Sequence, residues 1–242
     1  MPLSSHDFYA SIRSTANRCW SWIWSLDERE SKTTGVAETL ERSMRVTAKC
    51  RYNAADRIVN RSRFGFFTSI ILSLGLIFIP LMQNTGIPLA FRSSVLNMIQ
   101  IFLAVSVLVL SVVFGSARYD VRATKLTDCG DRLKQIIRGI RRQRASGNSL
   151  SNETLIEYEN QYADVVRDCE NHVRSDYNLA ILEMRHEFYW TGIPRMKLWL
   201  SARLGRITFY VIPLCLLCFE LLFITDMIHV THVFTEFFSK SS

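Results

Sequence analysis

Charged side chains are missing from two long stretches of this 242-residue sequence. No Asp, Glu, Lys or Arg occurs from Phe64 to Phe91 or from Ser93 to Ala117, and Arg92 alone separates the two runs. A bilayer core of about 30 Å requires about 20 apolar helical residues at a rise of 1.5 Å each. Both runs reach that length. An ordinary soluble domain is therefore excluded, and we expect an integral membrane protein.

The sequence also lacks the motifs of common catalytic sites. It contains no Gly-rich phosphate loop, no nucleophile elbow and no paired set of metal ligands. Cys215 and Cys218 have metal-like spacing but stand alone in an apolar run, so we assign them to packing. We predict that the protein is not an enzyme and has no catalytic residues, metal site or cofactor. The six cysteines match no secreted disulfide framework, which favours reduced thiols.

The apolar runs predict a transmembrane hairpin over residues 64–117, with spans at about 64–82 and 95–114. Lys and Arg flank both outer ends of this hairpin, whereas its tip carries only Arg92. The positive-inside rule then places the ends in the cytoplasm. A third apolar helix, 207–225, is long enough to cross if Glu220 lies within it. Charge alone does not choose between two and three spans; we favour three, with Glu220 as an ionisable group inside the membrane.

The remaining segments are predicted to be helical or irregular. Apolar residues recur at spacings of three and four in residues 118–206, which we interpret as a cytoplasmic helical stalk, and residues 36–63 form a further cytoplasmic helix. Residues 1–35 are an arm whose Trp20, Trp22 and Trp24 either anchor it at the membrane interface or pack as an ordinary helix. A tail, 226–242, ends the chain. The predicted fold is an all-α membrane protein: a two-helix transmembrane hairpin, a helical cytoplasmic stalk and a third transmembrane helix.

Polar and small side chains share one face of the second span. This polar stripe consists of Ser93, Asn97, Gln100, Ala104 and Ser111. Polar groups inside a bilayer require partners or water, so two interpretations stay open. The stripe lines an aqueous pore in an oligomer, or it packs helices together. On the first span Gly65, Ser69 and Ser73 have the small-xxx-small spacing of closely packed membrane helices.

The net charge of +7 gives little support to nucleic-acid binding, because most of the basic residues flank the apolar helices. Membrane topology and anionic lipid account for them, and we expect no direct contact with nucleic acid. A denser cluster, Arg138, Arg141, Arg142 and Arg144, either docks an acidic partner or nucleotide or is a solvated helix end.

Three short segments resemble a known family. They are Lys49-Cys-Arg-Tyr-Asn-Ala-Ala-Asp-Arg-Ile58, the helix with Ala117-Arg-Tyr119 and Leu126, and Glu170-Asn-His-Val-Arg-Ser-Asp-Tyr177. Together with the hairpin they resemble SLATT domains, the membrane effectors found with nucleotidyltransferase and SLOG sensors in bacterial conflict systems. The Glu-Asn-His and Asp-Tyr elements look most like the subfamily linked to reverse transcriptases. The resemblance covers residues 36–187.

The resemblance implies an oligomeric pore-forming effector of an antiphage system in the bacterial inner membrane, with most of the chain cytoplasmic. A sensor or nucleotide-signalling partner encoded nearby would supply the signal, and permeabilisation would arrest or kill the infected cell. Polar residues of the matching motifs become candidates for gating at the junction of stalk and hairpin: Tyr52, Asn53, Asp56, Asn171, His172, Asp176 and Tyr177. The alternative is a membrane-anchored adaptor that recruits a sensor or enzyme and conducts no ions.

Overall fold

The computed structural model describes residues 17–18, 20–26, 29–33, 35–147 and 150–235. Among them, helices and loops account for the whole fold, apart from one isolated β-bridge between Glu30 and Phe188. The predicted all-α fold is confirmed. The chain folds into two compact units. We call Met1–Arg57 with Arg122–Arg206 the charged unit, and Ile58–Val121 with Ile207–Ser242 the apolar unit.

Within residues 35–147 and 150–235 there are seven α-helices: α1 (Val36–Asn84), α2 (Ser93–Ser116), α3 (Tyr119–Ala145), α4 (Asn152–Arg167), α5 (Arg174–Glu183), α6 (Gly192–Ile207) and α7 (Val211–Met227). Helix α1 is unbroken through residues 36–63 and the first apolar run, and it includes Pro80 and ends at Asn84, close to the predicted end of the first span at about residue 82. Between α2 and α3, Arg118 adopts a left-handed backbone with φ of 44°. The helical backbone is therefore interrupted between Ser116 and Tyr119.

The core of the charged unit lies where α1, α3 and α4 meet. Leu40 and Met44 of α1 are buried with Ile137 and Ile140 of α3. Aromatic and aliphatic side chains of α4 cover this cluster, namely Leu155, Tyr158 and Tyr162. The two apolar faces anticipated in residues 118–206 thus pack against each other, and α1 joins them as a third helix.

Residues 20–24 of the N-terminal arm are helical and are held by the loop before α6. The Thr191 hydroxyl donates to the Trp22 carbonyl at 2.6 Å. A Cβ atom at Gly192, whose φ is +51°, would lie 2.0 Å from the Ile23 carbonyl oxygen, so only glycine fits there. The Trp20, Trp22 and Trp24 side chains stay exposed. Residues 1–16 of the predicted arm lie outside the described residues.

Helix α7 runs the full length of the apolar unit. At one end, the Tyr210 ring just before α7 packs edge-on against Phe64 of α1, with 4.8 Å between centroids. At the other end, Phe223 stacks on Phe91 beside the α1–α2 turn, again at 4.8 Å. The Ala90 amide of the same turn donates to the Met227 carbonyl at 3.1 Å. Helix α7 therefore reaches from the open end of the hairpin to its tip.

Asp226 folds the segment after α7 back onto the unit. Its buried carboxylate accepts hydrogen bonds from the Val233 amide at 3.0 Å and the Phe234 amide at 2.5 Å, and from the Thr231 hydroxyl. The Phe234 ring then packs 5.6 Å from that of Phe219. Residues 228–235 consequently form a closed cap on the end of α7, and residues 236–242 of the predicted tail lie outside the described residues.

We predict that the segment after α7 lies across the membrane from the α3–α4 loop, because α7 spans the same distance as the hairpin. A reporter pair checks this: alkaline phosphatase, active only outside the cytoplasm, and a fluorescent protein, bright only inside it. Each is fused after Thr235 or inserted at Gly147. Opposite reporter signals at the two positions are expected. The same signal at both would mean that α7 does not cross.

Candidate functional site

A buried carboxylate is the centre of the polar interior of the charged unit. Asp176, in the first turn of α5, is fully buried and faces Arg57 of α1. The Arg57 Nε donates to Oδ1 at 3.0 Å, and its Nη2 donates to Oδ2 at 3.0 Å. This two-point geometry matches the planar guanidinium to the carboxylate. Asp176 also accepts the Val173 amide at 3.3 Å, so it starts α5 as well.

Two further residues complete what we call the Asp176 cluster: Asn53, Arg57, Asp176 and Arg206. The Arg206 Nη2 donates to the Asn53 carbonyl at 2.9 Å and lies 3.4 Å from Asp176 Oδ1. The Asn53 side-chain amide donates to the Asp176 carbonyl at 3.3 Å. The cluster therefore ties α1, α5 and α6 together. Arg57 and Arg206 are also the residues at which the chain passes from the charged unit to the apolar unit.

The connection between α4 and α5 is fixed to α1 by a second buried arginine. Arg51 donates to the Glu170 carbonyl and lies 3.4 Å from the Asn171 side-chain oxygen. Arg122 of α3 binds the Glu170 carboxylate at 2.8 and 2.5 Å, and these bonds hold the pKa of that carboxyl below its usual range. Burial, followed by the charge of Arg51, lowers the pKa of His172. His172 is consequently a neutral side chain at pH 7.

The gating candidates from the sequence do not form one group. Asn53 and Asp176 face the polar interior just described, whereas Asn171 is exposed and approaches Arg51 at 3.4 Å. The rings of His172 and Tyr177 stack with 6.3 Å between centroids. Tyr52 belongs to a different face of α1, where its hydroxyl donates to Asp131 at 2.6 Å. Asp56 is exposed to solvent. Arg51, Arg57 and Arg206 were missed because basic residues near apolar runs were interpreted only as topology signals.

In the single chain, the polar stripe of α2 lies on the outside of the apolar unit. Ser93, Asn97, Ala104 and Ser111 are exposed, whereas Gln100 is half-buried. The buried residues of α2 are Leu96, Ile99, Leu103 and Leu110, one position away along the helix. Gln83 of α1 contacts two stripe members: the Gln100 amide donates to it at 2.9 Å, and it lies 3.5 Å from Asn97.

The small residues of α1 border a groove that is open on the outside of the apolar unit. A Cβ atom at Gly65 would lie 2.4 Å from the Phe114 ring, so this glycine allows α2 to approach. Ser69 and Ser73 line the groove itself, together with Ser111 of the polar stripe. The groove has a volume of about 560 Å³. Gly65 therefore packs within the chain, whereas the two serines remain accessible.

The sequence model of SMODS and SLOG-associating 2TM effector domain family 5 matches residues 34–224. This range covers most of the chain. The protein belongs to the SLATT family. Although the family is named for two transmembrane helices, the match includes most of α7. The described part of this SLATT chain contains three helices long and apolar enough to cross a membrane. No curated protein and no solved structure matches it. The likeness to the reverse-transcriptase-linked subfamily stays a prediction.

A carboxylate is enclosed within the third apolar helix of this SLATT protein. Glu220 is buried, and neither of its carboxylate oxygens has a hydrogen-bond partner among the described residues. It lies against Gly75 of α1, where an added Cβ would come 2.0 Å from Oε1. An uncompensated charge in this position would be costly, so the structure favours a neutral carboxylic acid here. The glycine provides the space that the side chain occupies.

The buried cysteines of the charged unit are poor nucleophiles. Burial raises the pKa of the Cys50 thiol to about 12, with a further contribution from the charge of Asp176. Burial likewise raises the pKa of Cys129 to about 12. Because the thiolate is the reactive form, both side chains remain protonated packing groups at neutral pH.

We predict that Asp176→Ala lowers the free energy of unfolding of the SLATT protein by about 3–5 kcal/mol, because Arg57 is left buried without its counter-charge. Asp164→Ala is the control, since Asp164 is exposed on α4 and such changes cost less than about 0.5 kcal/mol. Urea unfolding in detergent measures both. Equal effects would mean that the Asp176 cluster does not stabilise the unit.

A second prediction concerns the contact of Gly75 with Glu220. Gly75→Val should destabilise the protein by about 1–3 kcal/mol through overpacking. Adding Glu220→Ala should recover most of this loss, because the new side chain then enters the vacated space. Gly115→Val is the matched control on α2, where no atom lies within 4 Å of an added Cβ. Additive effects of the two changes, measured by thermal unfolding in detergent, would contradict the contact.

Proposed function

We propose that this SLATT protein is an oligomeric pore-forming effector of a bacterial conflict system, opened by a signal received at the charged unit. Family membership supplies the coarser part, a membrane effector domain associated with SMODS and SLOG systems. Pore formation, oligomerisation and gating are the finer part. They rest on the placement of polar side chains in the apolar unit and of charge in the charged unit.

The observation that carries the proposal is the exposure of the polar stripe on α2. The Ser111 hydroxyl forms no side-chain hydrogen bond with the described residues. Together with the small Ala104 it faces outward from a helix whose other exposed side chains are mostly Val, Leu, Ile and Phe. Lipid does not stabilise exposed small and polar groups, whereas water or a neighbouring helix does. Several copies that bring α2 together would enclose the stripe as the wall of an aqueous path.

Assembly also gives a role to the groove beside the stripe. Ser69 and Ser73 of α1 leave room for close approach of another helix, and Ser111 lies in the same groove. A single α2 helix cannot enclose a pore, so the proposal requires homo-oligomers in which each chain contributes one stripe. Small residues at such an interface allow van der Waals packing and interhelical hydrogen bonds, the main forces available in lipid.

The orientation follows from the distribution of basic residues. With three spans, 27 of the 29 Lys and Arg residues fall on the side of the charged unit, and Arg92 and Lys240 are the two exceptions. The positive-inside rule places that side in the cytoplasm of the inner membrane. A cytosolic sensor or signalling partner, encoded near this gene, then has direct access to the charged unit.

The Asp176 cluster supports a route for gating. It joins α1, α5 and α6 at Arg57 and Arg206, and the next residues of α1 and the segment after α6 belong to the apolar unit. A signal that displaced α5 would break a buried charge pair, and this cost makes the helix arrangement two-state rather than graded. The gate would thus respond to changes in the charged unit.

A second function, a membrane-anchored adaptor, is favoured by a different observation. The Gln83 side chain is hydrogen-bonded to those of Gln100 and Asn97, so these two residues already have partners inside one chain. In this case the polar stripe only packs helices, and the charged unit recruits a sensor or enzyme. Replacement of α2 and the apolar part of α1 by an unrelated hairpin would then preserve activity.

The pore predicts loss of ion flux when the stripe becomes bulky. Ala104→Leu with Ser111→Leu should reduce depolarisation by on the order of tenfold or more, because an apolar constriction excludes water. Val105→Leu with Val112→Leu is the control pair, shifted by one residue onto an exposed apolar face of the same helix. A voltage-sensitive dye reports membrane potential in bacteria that express each variant with its genomic neighbours.

These positions separate the pore from the hairpin hydrogen bonds, because the side-chain hydrogen bonds of Gln83 go to Asn97 and Gln100. Equal depolarisation by both double variants, at matched amounts in the membrane, would remove the stripe from the conducting path. No depolarisation by the unmodified chain, with its neighbours and their trigger present, would favour the adaptor.

A further inference from the structure

A cleft between α1 and α3 of the charged unit is lined by cations. It has a volume of about 620 Å³, within the range of small-molecule sites. We call it the basic cleft and define it by six polar residues on its walls: Arg45, Lys49, Tyr52, Lys134, Arg138 and Arg141. Carbon atoms of Ala48, Ile137 and Met184 form its apolar part. None of the residues that line the cleft carries a negative charge.

The charge in the cleft is only partly balanced. Arg45 contacts Glu41 and Glu187, each at 2.9 Å, and Arg141 contacts Glu41 at 2.7 Å. Lys49 contacts Glu183 at 3.0 Å. Two cations on α3 lack such partners. Lys134 and Arg138 form no ion pair with any described residue, although the Lys134 ammonium lies 4.1 Å from the centre of the Tyr52 ring. An anion that enters the cleft would meet these two free charges first.

The volume and lining of the cleft fit a ligand larger than inorganic phosphate. Its lining combines Lys and Arg side chains with apolar side chains. A complementary ligand therefore carries both negative groups and a flat or apolar body. The Tyr52 ring is fixed in place, because its hydroxyl donates to Asp131 at 2.6 Å and its carbon atoms pack against Gly130. Fixed walls lower the entropy lost when a ligand binds. Phosphate is the anion that several Lys and Arg side chains bind most readily.

We propose that the basic cleft binds a soluble nucleotide, with its phosphates on Lys134 and Arg138 and its base on the apolar surface. This inference deepens the proposed function and rests on it for one consequence, the opening of the pore; binding itself does not depend on conduction. It also assigns a new role to part of the arginine cluster. Arg138 and Arg141 line the cleft, whereas Arg144 lies 3.4 Å from the buried Glu41.

Binding in this cleft would loosen contacts that hold the end of α5. Lys49 and Arg45 of α1 bind Glu183, the last residue of α5, and Glu187 shortly after it. Phosphate oxygens compete for the same two cations, so a bound nucleotide weakens these ties. The other end of α5 carries Asp176. The cleft and the Asp176 cluster therefore act on opposite ends of one short helix of ten residues.

The test measures nucleotide binding to the full chain in nanodiscs made only of zwitterionic lipid. Equilibrium dialysis is carried out with a panel of common purine and pyrimidine ribonucleotides, with inorganic phosphate and with pyrophosphate. We expect at least one nucleotide to bind more tightly than either phosphate-only probe. Lys134→Gln with Arg138→Gln should weaken this binding by about tenfold or more. Arg132→Gln with Arg142→Gln, which removes the same charge from exposed positions of α3 outside the cleft, should leave it unchanged.

Three results would overturn the inference. They are no binding by any nucleotide of the panel, equal binding by the two double variants, and capture of vesicles rich in phosphatidylglycerol without binding of free nucleotide. Unfolding temperatures of both variants, measured alongside, identify a variant that has failed to fold. Ion flux is recorded separately. Ion flux without nucleotide binding would contradict the binding role of the cleft and support the pore. Nucleotide binding without ion flux would support the cleft and contradict the pore.

Discussion

The burial of one carboxylate, Asp176, constrains the whole charged unit. A fully buried charge is tolerated only when oppositely charged and hydrogen-bonding groups surround it, and here Arg57 and Arg206 come from two different helices. The position of α5 is thereby fixed relative to both α1 and α6. Such a pair adds little net stability compared with an apolar core, but removing one partner strongly destabilises the protein because the other charge is left buried. It therefore selects one arrangement of the three helices over its alternatives.

The apolar unit obeys a different constraint, the absence of water in a bilayer. Backbone groups are satisfied within its helices, and aromatic contacts at Phe64 and Phe91 set the two ends of α7. Polar side chains that remain require an explanation one by one. Gln83 accepts a hydrogen bond from Gln100, and Glu220 occupies a space at Gly75, but the Ser111 hydroxyl faces outward beside Ala104 and has no side-chain hydrogen bond among the described residues. Their exposure supports the proposal that several copies of the chain assemble.

Local patterns in the sequence were sufficient for most of the helices. Apolar runs located α2, α7 and the apolar half of α1, and spacings of three and four located the packed faces of α3 and α4. Contacts between distant residues were not accessible in this way. Arg57 and Asp176 are 119 residues apart, and each carries a charge that a solvated surface would explain equally well. The basic cleft combines residues 45–52, 134–141 and 184, so no continuous motif marks it. The helix interruption at Arg118 depends on a left-handed backbone that the sequence does not signal.

The central claim is that this chain conducts ions when it assembles in a membrane. Electrical recording from the purified full chain in a planar bilayer tests it most directly, with chemical cross-linking of the same sample to count subunits. Discrete current steps that occur only in samples containing cross-linked oligomers are the predicted result. A bilayer that contains such oligomers, together with the activating partner or ligand, and still carries no current would contradict the claim.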